Sequence, residues 1–110
     1  MKPVSTGNVL TAATQTTIFT VPTGYYARWT LCYVVNHSGN NKFIDIVWYD
    51  ASTATEVHVF DNYVLTATQF VKFNAGAYVV LEEGDQVRAT SEAASIMNTI
   101  NTFELYRKGE

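Results

Sequence analysis

Apolar residues recur along most of this chain with a period of two, the mark of strands that bury one face. Residues 17–21 are β-branched or aromatic, and Pro22-Thr23-Gly24 ends them in a turn. Residues 26–36 predict a long strand. Ala27, Trp29, Leu31, Tyr33 and Val35 share one face; Arg28, Thr30, Cys32 and Val34 share the other. Residues 37–41 form a turn of types that tolerate positive φ. In 42–50, Ile44, Ile46 and Trp48 alternate with Phe43, Asp45, Val47 and Tyr49. Both sets are largely apolar, so this strand is either central or presents its second face to an interface.

Further strands are expected at 55–60, at one or two stretches within 63–73, at 77–82, at 86–90 and at 96–107. Turns fall at 51–54, 61–62, 74–76 and 83–85, and 91–95 is a small-residue loop or a single helical turn. The pair 77–82 and 86–90 reads as a hairpin or a tight corner. Residues 1–15 are small, polar and weakly periodic. They read as an N-terminal arm ahead of a domain spanning 16–110, whose last three residues are a solvated tail. About eight short strands at a spacing of roughly 8–12 residues predict an all-β antiparallel sandwich, jelly-roll or immunoglobulin-like.

Composition sharpens this picture. The chain has 110 residues, enough for one domain with its own core. Fifteen residues are Thr and 14% are aromatic, which suits a pleated surface. Only 15% are charged, against about 25% in an ordinary soluble domain. A surface of Thr, Asn, Ser and Tyr can pack against copies of itself with few ions to desolvate. The formal charge of −3 provides no basic field for phosphates, so nucleic acid is not an expected partner. No stretch approaches the ~20 apolar residues of a membrane helix. Neither is there an apolar segment of signal-peptide type after Met1.

Candidate chemistry is sparse. Cys32 lies in an apolar run and reads as a small core or interface residue. His37 falls in a polar turn and His58 in mid-strand, and no nucleophile motif accompanies either. Cys and His are too few for a zinc site of standard spacing. Asp50, Asp61, Glu82, Glu83 and Asp85 lie near strand ends, where calcium could bind, but acidic residues at turns are mainly turn formers. Asp45 is expected to meet a cation, Arg28 or Arg88. The aromatic residues read as core or interface anchors ahead of a sugar-stacking platform. No enzyme activity, cofactor or metal is expected.

The segment 16–28, Thr-Thr-Ile-Phe-Thr-Val-Pro-Thr-Gly-Tyr-Tyr-Ala-Arg, resembles the opening of small tailed-phage virion proteins. A strand ending in Asn-x-Ser-Gly follows at 36–39, and a Leu-x-x-Gly-Asp corner at 81–85 leads into Val87-Arg88-Ala89. The resemblance spans roughly residues 16–90 and implies a β-sandwich without a catalytic set. Proteins of this kind decorate capsids as cement, or serve in tails, necks and fibres, commonly as trimers or rings. The expected role is a capsid decoration protein that clamps neighbouring capsomers, located in the virion and assembled in the host cytoplasm. Its expected partners are its own copies and a major capsid protein or tail proteins. The alternatives are a tail, neck or fibre component, or a carbohydrate-binding module for host recognition. The expected interface residues are Trp48, Tyr49, Phe43, Trp29 and Tyr33.

Overall fold

The computed structural model describes residues 1–74 and 76–109. Of the expected turn 74–76 and tail 108–110, Ala75 and Glu110 lie outside the described residues. The described residues form nine strands and no helix: β1 (Lys2–Leu10), β2 (Thr16–Thr20), β3 (Tyr25–Asn36), β4 (Lys42–Asp50), β5 (Thr55–Leu65), β6 (Phe70–Phe73), β7 (Val79–Leu81), β8 (Gln86–Ser91) and β9 (Met97–Arg107).

Two antiparallel sheets pack as a sandwich. One runs β1-β9-β3-β6, with β7 also paired to β3; the other runs β2-β8-β4-β5. The pairings are nested: β1 with β9, β2 with β8, β3 with β6 and β7, and β4 with β5. A long hairpin rolled on itself gives this order, so the sandwich is a jelly roll and not immunoglobulin-like. β6 and β7 lie along the same edge of β3 and together fill one strand position, which is why about eight expected strands become nine.

The core sits between the sheets around Trp29. Its ring stacks on Phe103 at 6.2 Å and meets Phe73 edge-on at 5.0 Å. Phe103 in turn stacks on Phe19 of the opposite sheet at 4.0 Å, tying the layers together. The Trp29 indole donates to Asn101 Oδ1 at 3.1 Å, so its one polar atom is satisfied inside the core. Cys32 is fully buried, and desolvation pushes its thiol up to about 12.

Three sequence expectations change. First, β3 carries a bulge: Trp29 pairs with Phe103 and Leu31 with Thr102, leaving Thr30 as an extra residue. The faces therefore exchange halfway. Ala27 and Trp29 point inward, but so do Cys32, Val34 and Asn36, while Leu31, Tyr33 and Val35 turn away from the core. Second, residues 1–15 divide into the edge strand β1 and a short connection. β1 escapes a periodicity reading because its inward positions include Thr6 and Asn8, set against Asn101 and Thr99 of β9. Third, residues 61–62 are not a turn. β5 runs through them, with Asn62 in the left-handed region at φ 48°. The alternative left open at 77–90, hairpin or tight corner, is decided for the corner, because β7 and β8 belong to different sheets.

The resemblance motifs are the joints of this fold. Asn36 is buried and donates through Nδ2 to the carbonyls of Asn40, Leu65 and Thr66, while its Oδ1 accepts from the Ser38 N–H at 2.9 Å. One side chain thus shapes the turn after β3. The Val-Pro-x-Gly turn and the Gly-Asp corner meet each other. Val21 N–H donates to the Asp85 carbonyl at 2.9 Å, and Gly84 N–H to the Val21 carbonyl at 3.1 Å. Gly24 N–H reaches Glu83 Oε1 at 2.7 Å. Gly24 and Gly84 take φ of 87° and 85°, values an L side chain rarely adopts.

Candidate functional site

The two sheets present very different outward faces. Across β1-β9-β3-β6/β7, register aligns the outward side chains in rungs: Val9, Asn98, Val35 and Phe70; Gly7, Ile100, Tyr33 and Lys72; Ser5, Thr102 and Leu31; Pro3, Glu104, Arg28 and Val80. Val9 is 66% exposed, Phe70 53%, Tyr78 50%, Ile100 47% and Val80 43%, so much apolar surface meets solvent on one side of the molecule. Tyr33 and Phe70 stack at 5.2 Å. At the other end Tyr26 and Tyr106 stack at 5.1 Å. The Arg28 guanidinium lies 5.0 Å from the Tyr78 ring and 5.3 Å from the Tyr106 ring, a cation–π sandwich. Tyr106 donates to Glu104 Oε1 at 3.1 Å; desolvation first, and that bond second, raise its phenol above the ordinary value.

The outward face of the other sheet is polar and paired. Arg88 covers the Tyr49 ring at 3.9 Å and meets Glu56 at 3.1 Å. Gln15 donates to the same Glu56 oxygen at 2.9 Å. These two bonds, Gln15 before Arg88, hold the Glu56 carboxyl below its usual value. Lys42 pairs with Glu92 at 3.3 Å. Asp45 meets His58 at 2.9 Å, not Arg28 or Arg88 as the sequence suggests: Arg28 lies in the other sheet, and Arg88, which like His58 flanks Val47, is taken up by Glu56 and the Tyr49 ring. A further apolar group, Val57, Tyr63 and Val64, lies along the open edge strand β5.

The five expected interface residues do not form one patch. Trp29 is 0% exposed and belongs to the core, so it is corrected from interface to core residue; alternation placed it with Tyr33, and the bulge at Thr30 separates them. Tyr33 lies on the apolar face. Phe43 and Tyr49 lie on the polar face, and Tyr49 is roofed by Arg88. Trp48 packs against the core and donates its indole N–H to Asp85 Oδ2 at 3.0 Å. Tyr26 and Tyr78 are among the aromatic residues that the sequence offers as interface anchors or a stacking platform, whereas sequence reasoning missed Phe70, Ile100, Val80 and Tyr106. Their apolar character was readable, but which side of each strand faces out depends on the sandwich.

Of the carboxylates weighed for calcium, Asp85, Asp50, Glu83 and Asp61 have local partners. Asp85 is buried and accepts from Trp48, Ala51 N–H and Glu82 N–H. Asp50 accepts from the Ser52 hydroxyl at 2.7 Å and its N–H at 3.1 Å, which lowers its carboxyl. Glu83 is held low by Lys108 at 3.0 Å and by the Gly24 N–H. Asp61 lies near His58. One open notch of about 250 Å³, lined by Met1, Lys2, Tyr25, Leu105 and Arg107, is smaller than the roughly 300–1,000 Å³ of typical small-molecule sites.

No protein-family model matches the chain, and no curated protein matches it. Three solved structures resemble it remotely. A protein of disulfide-linked pili on Bacillus endospores is 20% identical over 96% of this chain and 88% of its own, with a TM-score of 0.44. A chain of the capsid asymmetric unit of cyanophage Pam1 is 16% identical over 93% and 82%, at 0.46. The globular domain of zebrafish complement 1qA is 13% identical over 97% and 100%, at 0.47.

Proposed function

We propose that this chain is a non-catalytic structural subunit that assembles through the outward face of its five-stranded sheet. One observation supports this above the rest: that face carries Val9, Val35, Phe70, Ile100, Tyr33 and Val80, while the opposite face carries the ion pairs Arg88–Glu56, Lys42–Glu92 and His58–Asp45. The molecule measures 47 × 28 × 19 Å, so a broad face has room for the roughly 800 Å² that each partner contributes to a standard interface. The mechanism is burial of this apolar area, multiplied by avidity when one subunit touches several neighbours.

Within that class the reading is a virion protein of a tailed phage, first a capsid decoration protein and second a tail, neck or fibre component. It works as a homo-oligomer, a trimer or ring, bound to a major capsid protein or to tail proteins. The support is the resemblance over residues 16–90, whose motif residues Asn36, Gly84 and Asp85 serve here as the joints of the fold. Light scattering on the purified protein tests self-assembly: a multimer that Ile100→Asp converts to monomer supports it. A monomer at high micromolar concentration, which also fails to bind purified capsids or tails, overturns it. Protein mass spectrometry of separated heads and tails then assigns the location.

A further inference from the structure

His58 and Asp61 stand three residues apart on β5, a spacing that sends side chains to opposite faces of an unbroken strand. Here the ladder slips. From Ile44 to Val47 β4 advances three residues, while β5 advances five from Tyr63 to His58. The two extra residues turn Asp61 toward His58, bringing its Oδ1 within 3.6 Å of the imidazole Nδ1. From β4, Asp45 sets its own Oδ1 2.9 Å from that same nitrogen. Two carboxylates therefore converge on one ring nitrogen. Its single proton can serve Asp45; Asp61 stands beyond hydrogen-bond reach.

We propose that Asp45, His58 and Asp61 form a surface binding site for a transition-series dication, zinc above all. The three ligand-capable atoms lie within 4.8 Å of one another. With metal–ligand bonds of about 2.0–2.2 Å, neighbouring ligand atoms stand about 3.0–3.6 Å apart. The separations of Asp45 and Asp61 from the ring nitrogen, 2.9 and 3.6 Å, lie close to that range, and the two carboxylate oxygens stand within 4.8 Å of each other, so rotation of the Asp61 side chain is what closes the site. Asp61, at 69% side-chain exposure, has that freedom. One imidazole with two carboxylates suits zinc, nickel or copper, whereas calcium and magnesium prefer oxygen ligands alone. Three protein ligands at a solvent-exposed edge leave the remaining position to water. Glu56, the next acid along β5, is held by Arg88 and Gln15 and stays outside the set. Zinc takes the neutral imidazole and so displaces its proton.

Chelator-stripped protein titrated with zinc by calorimetry tests this. The expected result is one saturable zinc per chain. The melting temperature should rise by about 5 °C at about ten times the dissociation constant. Equal calcium should produce no shift. His58→Ala should abolish binding and Asp61→Asn should weaken it at least about tenfold, while His37→Ala leaves it unchanged. Both lost ligands are exposed, and circular dichroism checks that the variants fold. Absence of saturable zinc binding overturns the proposal, as does undiminished binding in His58→Ala or an equal response to calcium.

Discussion

Tyr33 and Phe70 lie nearly parallel on the outside of the sandwich, with ring centroids 5.2 Å apart and planes inclined by 10°. They are diagonal neighbours: Tyr33 pairs with Lys72, and Phe70 with Val35. The stack holds the four-residue strand β6 flat against β3 and leaves an aromatic shelf facing solvent. A shelf of this kind is the sort of rigid apolar feature around which interfaces concentrate their binding energy.

Phe70→Asp should therefore lower the association of copies or the binding to a partner particle by at least about tenfold, since it puts a charge where apolar area is to be buried. Its effect on the isolated fold should be small, because the side chain is 53% exposed. Sedimentation velocity, alongside a melting curve, separates the two effects. Association unchanged in both Phe70→Asp and Ile100→Asp would move the interface elsewhere, and the open edge β5 would be the next surface to examine.

Asp85 ties three pieces of chain together. Its carboxylate accepts from the Trp48 indole at 3.0 Å, from the Ala51 N–H at 3.0 Å and from the Glu82 N–H at 2.9 Å. Asp85→Ala strands three donors at a buried corner and should destabilise the domain by about 3 kcal/mol or more. Asp85→Asn keeps the shape but has one acceptor oxygen, so its loss should be smaller. Urea unfolding monitored by tryptophan fluorescence measures both. A loss below about 1 kcal/mol in the alanine variant would mean that water replaces the carboxylate at little cost.

How far the sequence foretold this molecule follows from where each signal resides. The strands of the core were legible because Val87 and Ala89 alternate with the polar Gln86, Arg88 and Thr90, and because 42–50 is a run of β-branched and aromatic residues apolar on both faces. The bulge at Thr30 was not, because a bulge is a property of a pair of strands; only the partner's Phe103 and Thr102 reveal it. It exchanged the faces of Tyr33 and Cys32 and sent Trp29 to the core. β1 was illegible for another reason. Its inward Thr6 and Asn8 leave side-chain atoms buried without a protein hydrogen-bond partner, as do Thr99 and Asn101 opposite. A polar inner face erases the hydrophobic alternation that identifies a strand. The likeness of Trp48, Tyr49 and Phe43 to interface anchors rested on residue type. Type does not show that Arg88 roofs Tyr49 or that Asp85 holds Trp48.

Cys32 is the chain's single thiol, and burial pushes it up to about 12. At neutral pH almost none is thiolate, the reactive form. Native protein should therefore react with a thiol reagent only as fast as the sandwich opens, and in urea it should react at once. The native rate should fall in step with any change that stabilises the fold. A prompt native reaction would place the sulfur at the surface, and with it the inward face of β3.

Glu83 supplies a pH dependence whose sign can be worked out. Its carboxyl is held below the ordinary glutamate value, first by the hydrogen bond from Lys108 and then by the Gly24 N–H. A carboxyl that ionises more readily folded than unfolded adds stability above its unfolded value, near 4.5, and that contribution fades as the pH falls through the lower folded value. The group is partly exposed and screened by solvent, so the contribution is small in size, but its location is specific. Gly24 immediately precedes β3 at the turn where the two motif corners meet, and Lys108 follows β9 and donates its N–H to the Gly24 carbonyl at 2.9 Å. Acidification should loosen this end of the sandwich before the core. A carboxyl-detected NMR titration should show Glu83 ionising below its ordinary value. Lys108→Ala should move it upward, and Glu83→Gln should flatten the acid limb of the stability curve. A Glu83 value at or above the ordinary one, unchanged by Lys108→Ala, would mean that the Lys108 contact is not held in solution.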